Sequence, residues 1–165
     1  MHGAQPADRP AVDDVDAVTD AVLTASRLLV AISARSIAAV EETVTLPQFR
    51  LLVVLRSRGP LKLVRLAEHL GVNPSTATRM VDRLVTTDLI TRQAHPTSRR
   101  EQAVGLTEAG AAVVSEVTER RRAEIAEVVE RMPEMTRNGL VAALTAFAEA
   151  GGEPPVNDRA NPLWG

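Results

Sequence analysis

The stretch Gly71-Val72-Asn73-Pro74 constrains this chain more than any other. Ahead of it Leu63, Leu66, Ala67 and Leu70 recur at intervals of three and four, the spacing that puts apolar side chains on one face of a helix. Behind it Ala77, Met80, Val81 and Leu84 repeat the pattern. Gly71 permits a tight turn, Asn73 can cap a helix through its side-chain oxygen, and Pro74 suits a first helical position. Two short helices joined by a three- or four-residue turn make a helix-turn-helix, in which the first braces the second and the second enters a major groove.

The polar side of the second helix carries Ser75, Thr76, Thr78, Arg79 and Arg83. Hydroxyls can reach base edges or phosphates, Arg79 can fork onto guanine, and Arg83, one turn further, is placed to meet phosphate. The plainer reading is that Ser75 and Thr76 only satisfy free amides at the helix start. After Leu84 the period changes: Leu89 to Gln93 reads as a strand, residues 94–101 as a turn and Gln102 to Leu106 as a returning strand. This hairpin forms a wing, with Arg99 and Arg100 in its turn, where a narrow minor groove would attract them.

The flanks are helical. Val15, Val18, Val22, Ala25, Leu29 and Ile32 predict a long helix to about Val40, and Thr45 with Gln48 predicts a capping box opening a second helix that stops at Gly59-Pro60. Thr107 caps a long helix along Val114, Val117, Ile125, Val128 and Met132; Pro133 breaks it, and a final helix carries Leu140, Leu144 and Phe147. The expected organisation is a tail over 1–10, helical dimerisation segments over 11–45 and 108–150, a winged helix-turn-helix over 46–107, and a flexible tail over 151–165 that includes Trp164. The fold class is mainly α with a small β-wing. Apolar stripes at both ends exceed what one small core can cover, which predicts a homodimer.

The net charge of −2 conceals an uneven distribution. Residues 1–45 hold 3 Arg against 7 acids, residues 46–107 hold 10 Lys and Arg against 4 acids, and residues 108–165 hold 6 Arg against 10 acids. The balances are −4, +6 and −4, so only the middle suits a phosphate surface. With no cysteine, disulfides and thiolate metal sites are excluded. No apolar run approaches the roughly 18 residues of a membrane span, and the N-terminus lacks the layout of a secretory signal. A cytoplasmic protein without a membrane partner is expected.

The residues TLPQFRLLVVLRSRGPLKLVRLAEHLGVNPSTATRMVDRLVTTDLI and the later RREQAVGLTEAG resemble the MarR-type winged helix-turn-helix transcription factors over about residues 15–150. The resemblance implies a homodimer built by the first and last helices, palindromic double-stranded DNA as partner, and control by a small molecule, phenolic or another aromatic acid, bound between the dimer helices and the DNA-binding lobe. Wings of similar proteins carry aspartates ahead of the arginine pair; this sequence has His95 and Ser98 there.

An enzyme is the rival from another class. The sequence has no Gly-rich phosphate loop, nucleophile elbow or catalytic constellation, and Glu68-His69 lacks a second metal-binding histidine. His2, His69 and His95 show no ligand spacing, so neither a metal nor a cofactor is expected. The other alternative is a winged helix that presents its surface to a protein instead of to specific DNA.

Overall fold

The computed structural model describes residues 15–95 and 98–153. Six helices surround one hairpin: α1 (Val15–Val40), α2 (Leu46–Arg58), α3 (Leu63–Leu70), α4 (Pro74–Thr86), β1 (Ile90–His95), β2 (Ser98–Leu106), α5 (Glu108–Glu130) and α6 (Glu134–Ala150).

Local chemistry sets most of these boundaries. At the start of α2, Thr45 N–H donates to Gln48 Oε1 at 2.8 Å, and the Thr45 hydroxyl oxygen accepts from Gln48 N–H, completing the expected capping box. Gly59, at φ 74°, ends the helix. Thr107 Oγ1 accepts from Gly110 N–H at 3.0 Å to start α5 and donates to the Asp88 carbonyl at 2.6 Å, tying that start to the turn before the wing.

α2 sits at the centre. Phe49, Leu51, Leu52, Val54 and Leu55 are all buried, and the helix packs against α1, α3, α5 and β2. Around it Leu66 of α3, Val81 and Leu84 of α4, Ile90 and Val104 of the hairpin, and Val114 and Val117 of α5 complete a continuous core. A fully buried aliphatic side chain contributes roughly 1.5–3 kcal/mol, so this cluster, with one aromatic residue, is held by many similar aliphatic contributions.

The hairpin is longer than its sequence pattern indicates. The register runs from Ile90↔Leu106 to Ala94↔Gln102, shifts between Ala94 and His95, and resumes at His95↔Ser98. Residues 94–95 and 98–101, expected as turn, are therefore strand. The irregularity absorbs the offset and lets pairing continue. Leu61 adds a short third rung, exchanging both backbone hydrogen bonds with Val104 at 3.0 and 2.8 Å.

α1 crosses α5 and is fastened by Arg35, whose guanidinium donates to Glu124 at 2.7 Å, with the Ser36 hydroxyl donating to the same carboxylate. The Arg35 hydrogen bond holds the Glu124 carboxyl below the usual carboxylate range. Its contribution to stability is therefore present above the unfolded-state pKa and lost as pH falls through the folded value. Only Ile32, Ser33, Ser36 and Ile37 of α1 are buried, and α6 buries none of its residues.

One expectation needs correction. By length and composition alone α1 is apolar enough to cross a membrane, and only 11% of its most apolar window is buried within the fold. Arg27, Arg35 and scattered Ser and Thr interrupt the run, which is why no continuous apolar stretch is visible in the sequence.

The junction between α5 and the hairpin is tight. A Cβ on Gly110 would lie 2.0 Å from the Leu89 carbonyl oxygen, and that carbonyl also accepts from Thr107 N–H at 3.2 Å. Backbone on both sides leaves nothing to move aside. Gly110→Ala should cost about 2 kcal/mol, within the usual range for overpacking; an unchanged urea midpoint would contradict the contact.

Candidate nucleic-acid interface

α3 and α4 meet across Gly71-Val72-Asn73. Gly71 adopts the left-handed conformation, φ 66°, and closes α3 by donating to the Glu68 carbonyl at 3.1 Å, while Val72 N–H reaches the Ala67 carbonyl. Asn73 then caps α4: its Oδ1 accepts from Thr76 N–H at 2.8 Å and from the Ser75 hydroxyl at 2.7 Å. Pro74 occupies the first turn, where no intrahelical N–H is needed.

This start determines which face of α4 is available. Ala77, Val81 and Leu84 are buried and Met80 is half-buried against the core, so the helix is anchored along one stripe. Ser75, Arg79 and Arg83 are exposed on the remaining surface, and Thr76 and Thr78 are half-buried. All five expected residues thus lie on one helix. The hydroxyls also serve the helix itself: Ser75 supports the Asn73 cap, and Thr78 Oγ1 donates to the Pro74 carbonyl at 2.8 Å. The Ser75 and Thr78 hydroxyl oxygens retain acceptor capacity but have committed their protons.

The arginines differ in their surroundings. Arg65 on α3 pairs with Glu68, and Arg92 on β1 pairs with Asp82 of α4. Among the described residues, neither Arg79 nor Arg83 has an ion-pair partner. Arg83 stands in the last turn of α4, where its charge also favours the negative helix end. Asp82 was absent from the expected site, yet its pairing with Arg92 ties α4 to the wing and occupies a cation on that face. Arg99 and Arg100 fall in β2 by backbone rather than in a turn, and their side chains lie outside the described residues, as do those of His95 and Ser98.

Among the described residues no group of three or more His, Asp or Glu is placed to hold a metal ion. The geometry is that of a surface made of one helix, capped and braced by another, with a two-stranded wing beside it.

A helix-turn-helix followed by an antiparallel wing and framed by long helices defines a winged-helix protein. Residues 44–102 match the family described as the MarR family, and the chain belongs to that family. The crystal structure of RV1404 from Mycobacterium tuberculosis is 60% identical in sequence, with a TM-score of 0.81, covering 89% of this chain and 100% of that one. The HTH-type transcriptional repressor MdtR of Bacillus subtilis (strain 168) is 34% identical over 94 residues, 57% of this chain. The match spans 61% of that protein's length. A MarR family protein from Bacillus stearothermophilus, 23% identical and covering 84% of this chain and 96% of its own, shares the fold with a TM-score of 0.74.

The cap carries the orientation of the exposed face. Asn73→Ala should lower stability by about 1 kcal/mol, whereas Asn73→Asp or Asn73→Ser should retain most of it. Urea unfolding of the three variants checks this; equal midpoints for Ala and Asp would mean that the cap contributes nothing.

Proposed function

We propose that the chain is a DNA-binding transcriptional repressor that reads an inverted repeat as a homodimer, with α4 in the major groove. The observation that carries this is the exposed, unpaired pair Arg79 and Arg83 on a helix whose opposite stripe is locked into the core. Arg79 on the central turns takes the base-reading role, and Arg83 the phosphate-contacting one. Ser75, Thr76 and Thr78 accept or bridge through their oxygens. Arg99 and Arg100 of the wing contact the adjacent minor groove. The likeness to a repressor supports the regulatory direction.

Two features support pairing of two copies. α1 leaves Val15, Val18, Leu23 and Val30 more than half exposed, and α6 does the same with Met135, Val141, Leu144 and Phe147. Arg121 of α5 and Arg137 of α6 each have a buried Nε without a hydrogen-bond partner in one chain, and burial lowers the Arg121 pKa. A second copy covers the first set and supplies acceptors for the second. It also suits α1 better than a lipid phase does, because Arg27 and Arg35 fall within the helix. A two-fold dimer would separate its two α4 helices by about 34 Å, one turn of DNA. The protein then works in the cytoplasm, and a small-molecule effector, an aromatic acid in the family expectation, releases it by favouring a conformation with misplaced α4 helices.

Binding to promoter fragments, the chain's own upstream region included, tests the reading. Affinity should fall steeply with salt, with a slope near −0.9 per phosphate neutralised. Arg79→Ala should cost about 10–100-fold on the preferred site and relax base preference there, while Arg100→Ala should weaken all sequences alike. Footprints of paired half-sites are expected. Absence of specific binding to any fragment would instead favour a protein-docking winged helix.

A further inference from the structure

One edge of α2 runs from the core out to water. Arg50, Val53, Val54, Ser57 and Arg58 recur at three and four along it, so they share a single stripe. That stripe, with His69 at the end of α3 and Gly151, Gly152 and Glu153 beyond α6, lines a cavity of about 120 Å³.

The third wall is brought there by a specific turn. Gly152 adopts φ 70°, Gly152 N–H donates to the Glu149 carbonyl at 3.0 Å, and Glu153 N–H donates to the Ala148 carbonyl at 3.0 Å. This pair of bonds is the Schellman arrangement, which reverses the chain just after a helix. It delivers the Glu153 carboxylate to the Arg50 guanidinium, which donates one hydrogen bond to each oxygen, at 2.8 and 2.5 Å. The expected tail over 151–165 therefore opens with an ordered turn; residues 154–165 lie outside the described residues.

We propose that Arg50, Arg58 and His69 form a receptor for a small oxyanion, a carboxylate or phosphate group carried by a metabolite, and that Glu153 is its built-in occupant. The guanidiniums of Arg50 and Arg58 both act on a single carboxylate, so the cavity holds more cationic groups than its own acid can match. The forked geometry is the one by which arginine selects planar or tetrahedral oxyanions. Arg50 hydrogen bonding, against desolvation and aided by the fields of Arg50 and Arg58, holds the Glu153 carboxyl below its ordinary range, so the occupant is charged. It is also exchangeable. Both partners keep nearly half of their side-chain surface in water, 48% for Arg50 and 44% for Glu153, and such pairs are weakly held.

Size limits the ligand class. Drug-sized ligands occupy roughly 300–1,000 Å³, so a cavity of about 120 Å³ suits a compact anionic group while Glu153 is in place. An anion that takes the fork detaches the end of α6 from the face of α2, and with it one of the ties between the C-terminal arm and the helix-turn-helix. The site is separate from the exposed face of α4 and does not depend on what that face binds.

Calorimetric titration of the full chain with inorganic phosphate, at pH 7 and at ionic strength held constant with chloride, tests the proposal. Glu153→Gln removes the competing carboxylate, and if the fork is free about a tenth of the time in the native chain, phosphate affinity should rise about tenfold. Adding Arg50→Gln to that variant should abolish the gain, and Arg50→Lys, which keeps charge but not the fork, should restore little of it. Acetate in place of phosphate distinguishes a carboxylate receptor from a phosphate receptor. Equal phosphate binding by the native chain and Glu153→Gln, binding by neither, or a gain that survives Arg50→Gln would each overturn it. Because phosphate binding is read without DNA, failure here leaves the repressor reading standing, and failure of promoter binding leaves this one.

Discussion

Burial of the middle of α2 is the constraint from which the rest of the molecule follows. The middle of a helix packed against α1, α3, α5 and β2 must be largely apolar, and Phe49, Leu51, Leu52, Val54 and Leu55 meet that demand. Each neighbour then needs only one apolar stripe. α4 keeps Ala77, Val81 and Leu84 inward with Met80 beside them, and the face that carries Ser75, Arg79 and Arg83 is released from packing duty. The freedom of Arg79 and Arg83 is thus a consequence of a core centred elsewhere. The same geometry leaves α2 with one polar edge, where Arg50 and Arg58 gather, since charged side chains are tolerated only where water or a counter-charge reaches them.

Caps and turns were readable because their chemistry is local. Thr45 with Gln48, Asn73 before Pro74, and Thr107 before Gly110 each satisfy amides within three residues, so the helix starts follow from neighbours in sequence. The five residues on α4 were readable for the same reason, since helical periodicity alone separates their face from Ala77, Val81 and Leu84. The hairpin ends were not. Its pairing beyond Ala94 depends on a register shift between two strands, and the sequence His-Pro-Thr-Ser carries the marks of a turn.

Glu153 was illegible for a different reason. Gly-Gly-Glu-Pro-Pro has the composition of a tail, and the partner of Glu153 lies 103 residues away on α2. The signal was nevertheless present: two glycines directly after an apolar helical repeat match a helix C-terminus that closes with a left-handed residue. The apolar character of α1 was obscured in the opposite way. Its arginines break the run by eye, although the average along the helix is apolar, and only the fold shows that one of them, Arg35, is held by Glu124.

The ties between the helical arms and the helix-turn-helix differ in strength, and that difference decides how the molecule can move. At Leu89 and Gly110 backbone meets backbone with no room for a methyl group, and Thr107 adds hydrogen bonds to both sides of the joint. Sliding there would cost close-packed contacts that cannot be regained in a shifted position, so the start of α5 must travel with the hairpin. Arg35 with Glu124 and Arg50 with Glu153 are pairs of water-exposed side chains that can part and re-form at little cost. Any change in the relative setting of the helical arms and α4 therefore turns about the α5 junction and is accommodated at the ion pairs. A rigid pivot with weak outer ties converts a small event at a surface pair into a displacement that grows with distance from the pivot.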